Sequence, residues 1–323
     1  MEKRNGAIDL FRLFGAVMVI MIHTNKGIPI FYFLANTIGR YAVPIFMIIT
    51  GFFFFKNPTL KRKKAILKNL FRLWVVWQII YLPFGLFSLR DDSILKIVGK
   101  LTLSLIGSSV SFSGSWYLIA TIFGILFVDK MRKNNHIWIC VCISTLTVFF
   151  DALMTNYGRL FFNEKIRNII ETINPAASVI TGVLWITIAY FLALRLNSLR
   201  TFGTLKNTTI AVLITFLEFW FVQSNNLFLR NNDMYLTLPL SVIVFYLFLL
   251  NLSLNIPQEQ AAFIKNISTL IFFVHFGVLR ILDKFLRESI WLFIMVTGIS
   301  LVISILIIHL SKNRNYIWLK KIF

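Results

Sequence analysis

The chain is predicted to be an all-α polytopic integral membrane protein, with about ten transmembrane helices and both termini cytoplasmic. Of its 323 residues 58% are hydrophobic and only 14% charged. A soluble domain of that length could not hide so much apolar surface, so lipid must be the solvent for most of it. Apolar runs of spanning length recur through the chain, separated by short segments that carry most of its Lys and Arg. Those basic residues also alternate in density from loop to loop, which is the pattern that fixes orientation across a bilayer. The formal charge of +20 is therefore a set of topology signals, and no nucleic-acid partner is expected.

The first run, residues 8–28, has the length and apolar content of a span. It keeps Asp9 and Arg12 near its start and His23 towards its end. Arg12 and His23 fall within about 20° of one another around the helix and about 16 Å apart along it, so one stripe is polar. No removable signal peptide is expected, because Arg12 interrupts the apolar stretch and no small-residue cleavage site follows. The second run, 41–55, contains Pro44 and Gly51, both tolerated in membrane helices. A basic block follows, with Lys56, Lys61, Arg62, Lys63, Lys64, Lys68 and Arg72.

A third span is read at 70–87, and the Ser- and Gly-containing stretch 93–114 is expected to be interfacial or re-entrant. Further spans are placed at 116–128, 137–154, 176–196, 208–222, 235–254, 267–285 and 290–310. An even number puts both termini on one face. The block after the second span, Lys130 with Arg132 and Lys133, and the tail Lys312, Arg314, Lys320 and Lys321 fall on that face, so it is assigned to the cytoplasm. No long polar linker or soluble region interrupts the pattern, and 1–323 reads as a single transmembrane domain.

Ionisable groups inside a membrane are costly and usually mark a site or pathway. Besides Arg12 and His23, these are Glu218 in the seventh span, which has no local partner in its run, and His275 in the ninth. Both read either as chemical groups or as polar contacts holding helices together. Asp151 is expected at the interface. Cys140 and Cys142 fit neither a metal motif nor a disulfide framework, and no metal site is expected. No phosphate loop, nucleophile elbow or Ser/His/Asp set is present. Chemistry, if the chain performs any, rests on histidine.

Several stretches together resemble the membrane-bound acyltransferase 3 family. IDLFRLFGAVMVIMIH, with Arg12 and His23, is similar to its first-helix motif. VPIFMIITGFFFF is similar to its second-span motif, with Thr50 where serine is usual. LKNLFRLWVVWQIIYLP, SWYLIA and ISTLIFFVHFGV continue the likeness over almost the full chain, although the proline usual after the third-helix basic motif is missing near Trp74 and Val75. The resemblance implies acyl transfer from a cytoplasmic acyl-CoA, often acetyl-CoA, to a hydroxyl beyond the outer face of the bacterial plasma membrane. The acceptor would be a cell-envelope glycan or similar molecule. His23 matches the proposed catalytic histidine and Arg12 its paired arginine, and Thr50 keeps a hydroxyl for hydrogen bonding.

With termini inside, Arg12 would meet the CoA phosphates, helped by the block ending at Arg72, and His23 would act as general base on the acceptor hydroxyl. Outer loops 159–171 and 225–233 would build the acceptor site. The stretches NNDMYLTLPLSVIVFYLF, WQIIYLP and SWYLIA also look like the membrane domain of VanT-type serine racemases, a group linked to serine movement across the membrane. On that resemblance the chain would be the membrane part alone. Arg12, His23 and Glu218 would then line a path for a small amino acid.

Overall fold

The computed structural model describes residues 5–24, 28–106, 112–166, 175–229, 233–286 and 290–323. Among them there is helix and no strand. This is the backbone solution that lipid demands, since a helix satisfies its own N–H and C=O groups. The major helices are α1 (Gly6–Thr24), α2 (Pro29–Asn36), α3 (Ala42–Lys56), α4 (Leu60–Leu89), α5 (Ile94–Ile106), α6 (Trp116–Lys133) and α7 (Ile137–Met154). After a short α8 (Gly158–Phe161) come α9 (Val179–Leu194), the short α10 (Leu196–Leu199), α11 (Leu205–Ser224), α12 (Leu238–Asn251), α13 (Gln258–Leu282) and α14 (Ile290–Leu310).

A helix occupies each of the ten places where the sequence predicts a span. Seven helical stretches among the described residues are long and apolar enough to cross a membrane, with α2 to α3 counted as one. An eighth qualifies if α9 and the helical residues after it, bent by 91° at Arg195, form one broken span. Two predicted spans fall outside that set for physical reasons. The last turns of α6 carry Asp129, Lys130, Arg132 and Lys133. The 14 residues of α12 rise about 21 Å, short of a hydrocarbon core of about 30 Å. At 13 residues, α5 is shorter still.

The helix ends follow from their residues. Thr59 and Thr204 accept hydrogen bonds from Arg62 and Asn207 N–H and so start α4 and α11. Asn135 and Asn226 adopt left-handed φ of 58° and 50°, and stop α6 and α11. In each case the following residue bonds back to the last turn: His136 N–H to Met131 C=O at 2.8 Å, Leu227 N–H to Val222 C=O at 3.0 Å. This is the closing motif in which Asn stands in for glycine.

The helices gather into two compact units. One contains residues 1–43 and 246–323, the other 44–245. In the first, α1 is enclosed along much of its length. Asn5 Oδ1 caps it by accepting from Ala7 N–H (2.9 Å), while its amide donates to Leu249 and Leu250 C=O at the end of α12. A Cβ at Gly6 would collide with Leu254 and Ile256 just before α13, and at the far end His23 meets His275. The two helices are therefore parallel. Against α13 lies α14, whose buried residues Leu292, Val296, Ser300, Ser304 and Ile308 form a single i, i+4 seam. Its other faces are apolar and exposed, as a lipid-facing helix requires.

In the second unit α6 and α9 approach so closely that a Cβ at Gly124 would stand 2.5 Å from Gly182 C=O, and one at Gly182 would run into the Ala120 carbonyl. Gln78 donates to Ser115 Oγ at 2.7 Å, and Tyr81 stacks on Phe112 with centroids 4.9 Å apart. The WQIIYLP and SWYLIA stretches are thus joined where α4 meets the start of α6.

Candidate active site

His23 ends α1 on the last helical turn, and its side chain is exposed. Around it the first unit builds a compact shell. Met18 and Met21 of α1 pack with Ala35 of α2, and Phe31 meets Phe293 edge-on at 5.0 Å, which seats α2 across the end of α1. Beyond α2 the chain turns tightly. Thr37 Oγ1 donates to Phe33 C=O at 2.6 Å, and a Cβ at Gly39 would stand only 3.2 Å from Ile22 Cγ1. Arg40 follows Gly39 in this turn, near enough to His23 for its charge to act on the imidazole. Asn36, itself buried, holds the guanidinium by accepting from Arg40 Nη2 at 2.6 Å.

On the opposite side α13 contributes His275 and Phe276. His275 is fully buried, its ring centroid 5.8 Å from that of His23, with the ring planes 26° apart. Phe276 lies 4.8 Å from the His23 ring and 4.1 Å from that of His275. His275 Nδ1 is 3.0 Å from Ile271 C=O. Two of the histidines the sequence singles out are therefore neighbours, joined by an arginine and an asparagine that it does not single out. Arg40 could have been noticed as a lone cation immediately before the VPIFM run, but nothing in the spacing points it at His23.

Arg12 lies nearer the start of the same helix. Its Nη1 donates to Asp9 Oδ1 at 2.9 Å, and Asp9 is buried while Arg12 stays about a quarter exposed. Placing Asp9 in the first turn also suits the positive end of the helix dipole. The polar stripe of α1 thus runs from an ion pair at the N-terminal end to an exposed imidazole at the other.

The acyltransferase domain of the acyltransferase 3 family matches residues 5–309. The chain belongs to that family. Curated relatives are more distant. An amino-acid racemase of Enterococcus faecalis is 25% identical over 97% of this chain and 47% of its own length. A serine/alanine racemase of Enterococcus gallinarum is 28% identical over 40% of this chain and 20% of its own. The chain therefore spans about half the length of the first of these relatives and less of the second. No solved structure matches.

The remaining acyltransferase candidates fall in the second unit. Thr50 Oγ1 donates back to Phe46 C=O at 3.0 Å, within its own helix. Arg72 Nη2 donates to Asn69 Oδ1 at 2.6 Å. Glu218, without a partner in its own run, finds several from elsewhere. Oε1 accepts from Tyr157 OH and Leu236 N–H, both at 2.7 Å. Oε2 accepts from Thr237 N–H at 2.9 Å and Thr237 Oγ1 at 2.6 Å. These four donors fill the carboxylate's acceptor sites. Glu218 thus ties the turn before α12 to the residue before α8. The same bond, after the larger effect of burial, holds the Tyr157 phenol well above its usual range.

Asp151, expected at the interface, is buried and accepts from Thr181 Oγ1 at 3.1 Å. At the basic end of this unit, Asp129 is buried and receives Lys63 (2.9 Å), Arg132 (2.7 Å) and Lys133 (3.3 Å). Burial opposes its ionisation, but these three cations outweigh burial and hold the carboxyl below its ordinary range. Three cations on one carboxylate leave a positive excess that suits an anion. Residues 167–171 and 230–232, within the loops proposed for the acceptor, lie outside the described residues. Among the described residues no group of His, Cys, Asp and Glu is placed to hold a metal ion.

Proposed function

We propose that the chain is an integral membrane O-acyltransferase. It moves an acyl group, acetyl in the first instance, from cytoplasmic acyl-CoA to a hydroxyl of a cell-envelope glycan or similar extracytoplasmic acceptor. The observation that carries this reading is an exposed His23 at the end of α1, against His275 and within reach of the Arg40 charge, in a chain of the acyltransferase 3 family. The reading includes ten spans in a bacterial plasma membrane with both termini cytoplasmic. Arg12 then lies towards the cytoplasm and His23 towards the outer face.

Neutral His23 takes the proton of the acceptor hydroxyl as its oxygen attacks the thioester carbonyl. Charge develops on the carbonyl oxygen, and the Arg40 guanidinium beside His23 is suited to stabilise it. The C–S bond then breaks, the ester is released, and His23 returns its proton to the CoA sulfur. Donor phosphates would be drawn by the cytoplasmic cations. Lys63, Arg132 and Lys133 exceed the single charge of Asp129, and Arg72 follows about 14 Å further along the same helix as Lys63. Arg12 shares its guanidinium with Asp9, so its part would be to guide the pantetheine arm along α1.

The test is acetyl-CoA binding to the purified protein by calorimetry, with acetyl transfer measured in parallel. Binding should be saturable, weakened by Arg12→Ala and retained by His23→Ala, while transfer is lost in His23→Ala. An active His23→Ala protein would overturn the assignment. A second reading is favoured by the serine/alanine racemase among the relatives: a membrane carrier for a small amino acid. It requires serine counterflow in liposomes free of CoA and no acetyl-CoA binding by the folded protein.

A further inference from the structure

His275 holds a feature that the acyl-transfer reading leaves unused. Its Nδ1 stands 3.0 Å from Ile271 C=O. A carbonyl oxygen only accepts, so Nδ1 carries the hydrogen and Nε2 of the neutral ring presents a bare lone pair. That Nε2 is buried and has no partner among the described residues. An unsatisfied buried acceptor costs free energy, and in a well-packed interior such groups need a reason. The exposed neighbour, His23, likewise has no hydrogen-bond partner among the described residues. The ring planes lie within 26° of each other and the centroids are 5.8 Å apart. A linear N–H···N bond between two imidazoles lies in both ring planes and puts the centroids about 5 Å apart, so joining them from the stacked contact takes a small closing movement together with a turn of the exposed His23 ring. Phe276 packs against both rings, which restricts water at the junction.

We infer that His275 is a positioning residue for His23. Its Nε2 accepts the N–H on the side of the His23 ring facing away from the reaction, fixing that ring's tautomer and orientation. This rests on the acyl-transfer reading. In the ground state the shared hydrogen leaves the other His23 nitrogen unprotonated towards the acceptor hydroxyl. When His23 takes the hydroxyl proton it carries N–H on both nitrogens. One proton goes on to the CoA sulfur as the C–S bond breaks. The other remains on His23, held by His275 Nε2, and His275 stays neutral throughout. The device matters because Arg40, the charged group facing His23 from the turn after α2, repels the imidazolium while favouring the carbonyl oxyanion. A neutral acceptor behind His23 compensates the first effect without cancelling the second.

Two substitutions separate this role from packing. His275→Phe keeps the ring volume and removes the acceptor, whereas His275→Gln places an amide oxygen near the site of Nε2. With insertion and thermal stability matched, His275→Phe should lower kcat for thiol release from acetyl-CoA roughly 30–100-fold, in bacterial membranes that supply the acceptor. KM for acetyl-CoA should stay within about twofold of wild type, and His275→Gln should return kcat to within about tenfold of it. Full activity in His275→Phe, or equal losses in both variants, would overturn the proposal. The tautomer is read independently by ¹⁵N NMR of histidine-labelled protein in nanodiscs, where the chain's four histidines keep assignment simple. The expected spectrum has His275 protonated on Nδ1 and a His23 N–H signal that shifts in His275→Phe. A proton on Nε2 of His275 would overturn the pairing itself. The expected spectrum from a wild-type protein that releases no thiol would overturn the acyl-transfer reading, and with it the catalytic role, while the pairing stood.

Discussion

At the scale of single residues, the carboxylate best placed to attract a functional assignment is committed to partners. Glu218 accepts from Tyr157, from Leu236 N–H and twice from Thr237. Glu218→Leu would leave those donors without an acceptor, at about 1–3 kcal/mol for each that water cannot reach. The expected result is a clear fall in the detergent melting temperature, a smaller fall in Glu218→Gln, and an unchanged KM for acetyl-CoA in the folded fraction. If Glu218→Gln instead melts like wild type and yet makes no product, the carboxylate belongs to the chemistry. The sequence makes Glu218 look isolated because its partners lie 61, 18 and 19 positions away. His23 and His275 were each legible as polar groups in apolar runs, but their meeting depends on which helices pair, and hydropathy does not encode that. Arg40 was less legible still, since its approach depends on Gly39 fitting against Ile22.

At the scale of elements, helix association in lipid gains little from burying apolar surface, so close backbone approach carries more of the load. The α6–α9 pair is the clearest instance. Ala120 and Gly124 sit one turn apart on α6 and face Gly182 of α9 with no room for a side chain. Gly182→Val should push the helices apart and destabilise the second unit by about 1–3 kcal/mol or more. The measurement is a melting temperature in detergent. Gly298, with open space around the position of its absent Cβ, supplies the control, since Gly298→Ala should melt at or slightly above wild type. Equal behaviour of the two would mean that the contact is not a determinant of the pair. The ten helical stretches were readable because apolar runs bounded by charge are the direct signature of a lipid-facing helix. The bend at Arg195 and the stops at Asn135 and Asn226 were not, because they depend on local backbone closure.

At the scale of the whole molecule, an acyltransferase with donor and acceptor on opposite faces must be sided, and that is the property a carrier for amino acids would not share. The basic segments after α3 and α6 mark the face that should meet acyl-CoA, because positive charge is retained in the cytoplasm and also attracts the donor's phosphates. Within the first unit the polar stripe of α1 leads from the Asp9–Arg12 pair to His23, about 16 Å along the helix. An acyl chain offered at one surface could therefore be used near the other without the whole CoA crossing. In proteoliposomes of determined orientation, membrane-impermeant radiolabelled acetyl-CoA should label acceptor only when supplied to the surface bearing Lys61–Lys64. Removing positive charge there, for example Lys63→Ala with Arg132→Ala, should raise KM for acetyl-CoA and leave kcat nearly unchanged, since uniform donor binding is what those groups would supply. Labelling of equal extent from both surfaces would refute the sided path along α1. Serine exchange under the same conditions, with no labelling from either surface, would replace the transferase with a carrier.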